Sequence, residues 1–65
     1  MELKDIGLKI AKIRSEKGLS AYELSLRVGK SANYIHRVEN GSVNISIKSM
    51  LDIGKTLEIS PKELF

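Results

Sequence analysis

The sequence predicts an all-α domain built from five short helices. Apolar residues recur at intervals of three and four, and glycines or capping serines separate the segments in which they recur. No segment of the sequence alternates apolar and polar residues over the length of a strand. A chain of 65 residues can build one small core, so we expect residues 1–65 to form a single compact domain.

The first two helices have clear boundary signals. The first helix should end near Lys17, with Gly18 in the left-handed conformation behind it. Ser20 and Glu23 have the spacing of a capping box, which predicts that a second helix starts here. Gly29 should end this second helix after two turns. The apolar face of the first helix comprises Leu3, Ile6, Ile10 and Ile13.

The third helix is predicted from a cap and a short apolar face. Ser31 should cap its start, and Asn40-Gly41 should end it. Ile35 and Val38 share one side of this helix and should pack on the core. Two short helices joined at a glycine have the outline of a helix-turn-helix.

Two further helices are predicted in the last third of the chain. The fourth should begin near Ser46. In the fifth, Ser60 is the expected cap, Pro61 the first helical residue, and Glu63 the partner in a second capping box. The predicted apolar face of the fourth helix comprises Ile47, Met50, Leu51, Gly54 and Leu57.

The net charge of +3 is confined to the first two thirds of the chain. Residues 1–41 hold eight bases and five acids, whereas residues 42–65 hold three of each. The stretch from Leu24 to Val38 contains three bases, one histidine and no acid. Such a stretch suits a polyanionic partner, although a solvated surface would have the same composition.

Several classes of function are excluded by the residue inventory. With no cysteine and a single histidine, His36, the sequence offers no usual zinc ligand set, and no nucleophile accompanies His36. We therefore expect no enzyme, no metal, no cofactor and no small-molecule ligand. No apolar run reaches the length that spans a bilayer, so we expect no membrane partner and a cytoplasmic location.

Taken together, the short motifs resemble the phage-repressor and Cro-like helix-turn-helix proteins, the Xre family, over nearly the whole chain. The resemblance implies a lambda-repressor-like five-helix domain of bacterial or phage origin. It also implies binding to duplex DNA, at a pseudo-palindromic operator and as a homodimer, to regulate transcription as a repressor. The residues that carry it are Ile13-Arg14, Gly18-Leu19-Ser20, Glu23-Leu24, Val28-Gly29, Ser31, Tyr34-Ile35, Val38-Glu39-Asn40-Gly41 and Asn44-Ile45-Ser46.

The third helix has the polar face that a DNA-reading helix needs. On a helical wheel this face covers about 140° and lies opposite the apolar side chains. Arg37 can donate two hydrogen bonds to guanine, Asn33 can pair with adenine, and the Ala32 methyl suits thymine. His36 can contact a base acceptor or a phosphate. The predicted base-contacting residues are Ala32, Asn33, His36 and Arg37.

Phosphate contacts should flank this helix, from helix N-termini and from polar side chains. The predicted phosphate-contacting residues are Ser20, Lys30, Ser31, Tyr34, Asn40 and Ser42. The resemblance further implies an ion pair between Arg14 and Glu39, although Arg14 could contact DNA instead. Glu58 stands where the family often has a glycine that ends the fourth helix.

Two alternatives stay open at this point. The same scaffold could be a protein-interaction module, such as an antitoxin or a partner-binding regulator, that docks a protein instead of DNA. Leu64 and Phe65, with Met50, could form the dimer interface, or Leu64 and Phe65 could simply close the core of the monomer.

Overall fold

The computed structural model describes residues 3–64, which fold into four α-helices and one turn of 3-10 helix joined by short connections. The helices are α1 (Leu3–Glu16), α2 (Ala21–Arg27), α3 (Tyr34–Glu39) and α4 (Ile47–Leu57), and the 3-10 turn is Pro61–Glu63. The all-α prediction is confirmed, but the prediction of five helices is wrong.

The predicted fifth helix is only a single turn. Ser60 N–H donates to the Glu63 carboxylate at 2.9 Å, which is one half of the predicted capping box. Glu63 N–H donates to the Ser60 carbonyl at 3.0 Å, three residues back. This tighter spacing is that of a 3-10 helix, which rarely extends beyond one turn.

The core lies where all these elements meet. Met50 and Leu64 are 4% and 1% exposed, so neither is available as a dimer contact, and Phe65 lies outside the described residues. Leu64 therefore closes the monomer core. The buried hydrophobic residues of the described chain are Ile6, Ile10, Leu24, Ile35, Val38, Met50, Ile53, Leu57 and Leu64.

Helix α4 is rotated relative to the predicted apolar face. Ile47 and Leu51 are 69% and 44% exposed, whereas Ile53, which the prediction omitted, is fully buried. On a helical wheel the apolar residues of α4 spread over about 160°, so either of two overlapping faces could have been chosen from the sequence. The face that packs is the one shared by Met50, Ile53, Gly54 and Leu57.

The turns have the predicted left-handed residues. Gly29, between α2 and α3, has φ 75°, a conformation that costs a residue with a Cβ about 1–2 kcal/mol. Glu58 adopts the same region at the end of α4, with φ 60° and ψ 45°. Among the non-glycine residues that the structure describes, Glu58 alone has a positive φ.

Candidate nucleic-acid interface

Helix α2 begins with the predicted capping box. Ser20 Oγ accepts a hydrogen bond from Glu23 N–H at 2.9 Å, and Ser20 N–H donates to Glu23 Oε1 at 3.1 Å. The prediction is confirmed. Hydrogen bonds to the Glu23 carboxylate favour its charged form. The bond from the Ser20 backbone N–H, followed by the one with the Ser20 side chain, therefore lowers the pKa of Glu23.

Helix α3 begins at Tyr34, and the prediction that Ser31 caps it is wrong. Residues 31–33 form a turn in which Tyr34 N–H donates to the Ser31 carbonyl at 3.0 Å. Asn33 occupies the cap position, but its side chain makes no capping hydrogen bond within the described structure. Ala32 and Asn33 therefore precede the helix instead of lying on it.

The start of α3 is capped from another helix. Ser25 lies in α2 and is fully buried, and its Oγ accepts a hydrogen bond from Ile35 N–H at 3.0 Å. The same hydroxyl donates to the Ala21 carbonyl at 2.8 Å. A partner supplied by α2 is the physical reason why Ser31 is not needed as a cap.

One side of α3 is polar and solvent-exposed. His36 and Arg37 are exposed, as is Asn40 at its C-cap, while Ile35 and Val38 are buried on the other side. The exposed side chains supply an imidazole, a guanidinium and an amide. This polar face and the preceding turn form one continuous stretch of chain, from Ser31 to Asn40.

The far end of α3 is fixed by Arg14. Its Nε and Nη2 donate to the Glu39 carboxylate at 2.6 and 3.1 Å, and its Nη1 donates to the Leu19 carbonyl at 2.7 Å. Both charged side chains are less than one fifth exposed. The hydrogen bond with Glu39 raises the pKa of Arg14. The structure thus uses Arg14 to join α1, the loop after it and α3.

Gly7 lets α1 approach the end of α3 closely. A Cβ built on Gly7 would lie 2.5 Å from the Glu39 carbonyl oxygen and 2.6 Å from that of Val38. No side chain fits at this distance. The backbone of α3 therefore rests directly on the backbone of α1 at this glycine.

Two local contacts hold the polar residues that flank α3. Lys30 Nζ lies 5.6 Å from the centroid of the Tyr34 ring, within the range of a cation–π interaction. Ser42 N–H donates to Asn40 Oδ1 at 3.0 Å, and the Ser42 hydroxyl donates to the same oxygen. The amide oxygen of Asn40 is thereby engaged inside the protein.

Two residues that shape this surface were missed from the sequence. Ser25 stands between Leu24 and Leu26 in a predicted helix, and a polar residue among leucines was the available signal. Gly7 lies next to Ile6 on the apolar side of α1, where a glycine indicates close approach only once the partner helix is known.

Neither a metal centre nor a membrane-spanning helix accompanies this surface in the part of the chain that the structure describes. Within residues 3–64, no group of three histidine, cysteine, aspartate or glutamate side chains could hold a metal ion. No helix in this range is both long and apolar enough to cross a membrane.

Comparison with known proteins agrees with this geometry. The helix-turn-helix family profile matches residues 10–64. A curated relative from Sinorhizobium fredii, described as an uncharacterized HTH-type transcriptional regulator, y4dJ, is 33% identical over 61 residues, which cover 94% of this chain and 79% of the relative.

Two solved structures share the fold. The restriction-modification controller protein C.AhdI from Aeromonas hydrophila matches with a TM-score of 0.91 and 35% identity, over 97% of this chain and 96% of that one. The clp gene regulator ClgR from Corynebacterium glutamicum matches with a TM-score of 0.92 over 98% of this chain and 68% of that one, but at 20% identity it shows the fold alone.

The Sinorhizobium relative and C.AhdI are a transcriptional regulator and a controller protein by description, which agrees at a coarse level with the prediction that the chain is not an enzyme. The match spans both helices of the motif, the turn between them and α4. The chain therefore belongs to the helix-turn-helix family, and its resemblance to the phage-repressor and Cro-like (Xre) proteins is confirmed.

Proposed function

We propose that the chain binds duplex DNA sequence-specifically and acts in the cytoplasm as a homodimeric transcriptional regulator, most simply a repressor. The observation that carries this proposal is the exposed polar face of α3. A short helix held on the body by Ile35 and Val38 presents His36, Arg37 and Asn40 to solvent. A helix in this place in the motif enters the major groove.

The dimensions of α3 suit this role. An α-helix with its side chains is about 10–12 Å in diameter, which matches the major-groove width of about 12 Å, and the six residues of α3 occupy only about 9 Å along it. The helix and the turn before it can therefore enter the groove together. Arg37 would read guanine, Asn33 adenine, His36 a base acceptor, and the Ala32 methyl a thymine methyl.

Flanking groups would hold the phosphates on both sides. Asn40 would use its amide nitrogen, because Ser42 already engages the oxygen. The hydroxyl of Ser20 accepts from Glu23 N–H and also interacts with the Glu23 carboxylate, so in the complex its proton would turn from that carboxylate to a phosphate oxygen. We propose five phosphate contacts, from Ser20, Lys30, Ser31, Tyr34 and Asn40. Ser42, the sixth residue predicted from the sequence, gives both its N–H and its hydroxyl proton to Asn40, so its role would be to orient the Asn40 amide.

The homodimer would form through α4. Ile47 and Leu51 stand one turn apart on this helix and are largely exposed, next to an ion pair between Lys48 and Asp52. A stable interface buries about 800 Å² per partner, more than two side chains provide. We therefore expect a weak dimer that the DNA site brings together.

Selection of bound sequences from random duplex DNA tests the proposal. We expect a palindrome with half-sites about 34 Å apart and an affinity that falls steeply with salt. Arg37→Ala should relax preference at one base pair by about 1–3 kcal/mol. The matched control is Arg27→Ala, which removes the same charge from an exposed site on α2 and should keep the preferred sequence.

The outcome also separates the alternatives. If Arg37→Ala selects the same preferred sequence as the wild type, Arg37 does not contact a base. If no DNA is selected and a stoichiometric protein copurifies, the chain is an interaction module instead.

The dimer is tested separately by light scattering and by binding to half-sites. Ile47→Asp should abolish cooperative binding to the full palindrome and keep binding to a half-site. Leu8→Asp, at a leucine on α1 that is 57% exposed, is the control and should leave cooperativity intact. Equal cooperativity in both variants would place the interface elsewhere.

A further inference from the structure

We propose that Ser25 is a positioning residue for DNA reading, because its hydroxyl fixes where the recognition helix α3 begins and how it sits against α2. The inference rests on the proposed function of α3. Ser25 itself is fully buried and cannot touch DNA. Any effect of this residue on sequence preference must therefore pass through α3.

The contacts of Ser25 join all three parts of the motif. Its hydroxyl donates to the Ala21 carbonyl within α2 at 2.8 Å and accepts from Ile35 N–H in α3 at 3.0 Å. Its backbone carbonyl accepts from Lys30 N–H in the turn at 2.9 Å. Among the described residues, Ser25 is the one buried polar side chain.

The bond to Ile35 replaces an ordinary helix cap. The first amides of a helix have no partner within it, and a cap side chain normally accepts from the second or third helical residue. Ile35 is the second residue of α3, and the Asn33 side chain in the cap position makes no such bond in the described structure. Ser25, ten residues earlier in the chain, therefore caps the N-terminus of α3.

The geometry of the hydroxyl makes this contact directional. The Ala21 carbonyl receives the proton of Ser25, so a lone pair is left to face Ile35 N–H. At the other end of α3, Arg14 holds Glu39. The helix is thus fixed at both ends, and the loss of the Ser25 contact would loosen the end that carries Asn33 toward the bases.

The decisive variant is Ser25→Ala, which removes the oxygen without adding bulk. We expect the ratio of affinities for the selected site and for random duplex to fall about tenfold, equivalent to the loss of one hydrogen bond. Affinity for random duplex should fall less than affinity for the selected site and should keep its salt dependence, because phosphate contacts do not require the alignment of α3 with the base edges. Ile53→Val in the α4 core is the control, since it also lowers stability but should leave the ratio unchanged.

Hydrogen exchange of the wild-type chain provides a second measurement, which applies even if Ser25→Ala does not fold. The Ile35 amide should exchange only through global unfolding, as slowly as the amide of Ile10, a fully buried residue in the middle of α1. Faster exchange of Ile35, or an unchanged affinity ratio in Ser25→Ala, would overturn the inference. If the wild-type chain selects no DNA, the proposed function fails and the role of Ser25 in DNA reading fails with it, while slow exchange of Ile35 would still identify Ser25 as its cap.

Discussion

Replacing Gly7 by alanine should destabilise the protein, although alanine is the better helix former. In an exposed helix this change gains about 1 kcal/mol. In α1 the new Cβ would lie 2.5 Å from the Glu39 carbonyl oxygen, 2.6 Å from the Val38 oxygen and 2.8 Å from the Glu39 carbonyl carbon. All three atoms belong to the backbone, so no side chain can rotate away.

The size of the effect follows from this overlap. A carbon and a carbonyl oxygen in favourable contact are about 3.3 Å apart, so α1 and α3 would have to separate by about 0.8 Å. Overpacking of this kind costs about 1–3 kcal/mol, and a backbone obstacle should place Gly7→Ala near the upper end. After the gain in helix propensity, we expect a net loss of about 2 kcal/mol. For a domain of this size, that loss lowers the Tm by about 10 °C.

Gly54 is the matched control, because it is also a buried glycine inside a helix. A Cβ at Gly54 would meet its nearest atoms, in Ile59 and Leu64, at 3.7 Å, which is ordinary van der Waals contact. Gly54→Ala should therefore raise the Tm, by about 5 °C. Thermal unfolding followed by circular dichroism measures both variants. If Gly7→Ala melts at or above the wild-type Tm, the close approach of α1 and α3 does not exclude a side chain at position 7, and this prediction is wrong.

Three other substitutions test the remaining local features. Glu58→Gly should stabilise the protein by about 1 kcal/mol, because it relieves the left-handed conformation at the end of α4; an unchanged Tm would contradict this. The charged Glu23 carboxylate adds to the free energy of unfolding at neutral pH, and this contribution is lost as the pH falls through its lowered pKa. When the free energy of unfolding is measured in urea at several pH values, Glu23→Gln should therefore show a weaker decrease toward acid pH than the wild type. Glu39→Ala should cost about 2 kcal/mol, because it leaves the mostly buried guanidinium of Arg14 without its carboxylate partner. A loss below about 0.5 kcal/mol in urea unfolding would show that the pair behaves as a surface ion pair.

Local signals in the sequence predicted much of the fold. The capping box of Ser20 and Glu23 marks the start of α2, and the glycines at positions 18, 29 and 41 mark the ends of three helices. These features depend on backbone conformation and on bonds between near neighbours. They can be read from adjacent residues without knowledge of the packing.

The predictions that failed depended on contacts distant in sequence. Ser31 is a good cap by type, but Ser25 of the preceding helix supplies the bond that α3 needs. In α4, apolar residues offer two overlapping faces, and only the packed core shows that Ile53 is inside and Ile47 is outside. In the candidate site, the helical wheel predicted that His36 and Arg37 are exposed. It could not predict that α3 begins only at Tyr34, which places Ala32 and Asn33 in the turn before the helix.

The shortness of α3 links its proposed role in DNA reading to the stability of the whole domain. An isolated helix of six residues is not stable in water, so α3 persists only while Ser25, Arg14 and the core hold it. The surface that we propose reads DNA therefore does not exist in a partly folded chain. The apparent affinity for an operator should scale with the folded fraction, and operator DNA should in turn raise the melting temperature. A substitution anywhere in the core would then weaken regulation without touching a single base contact.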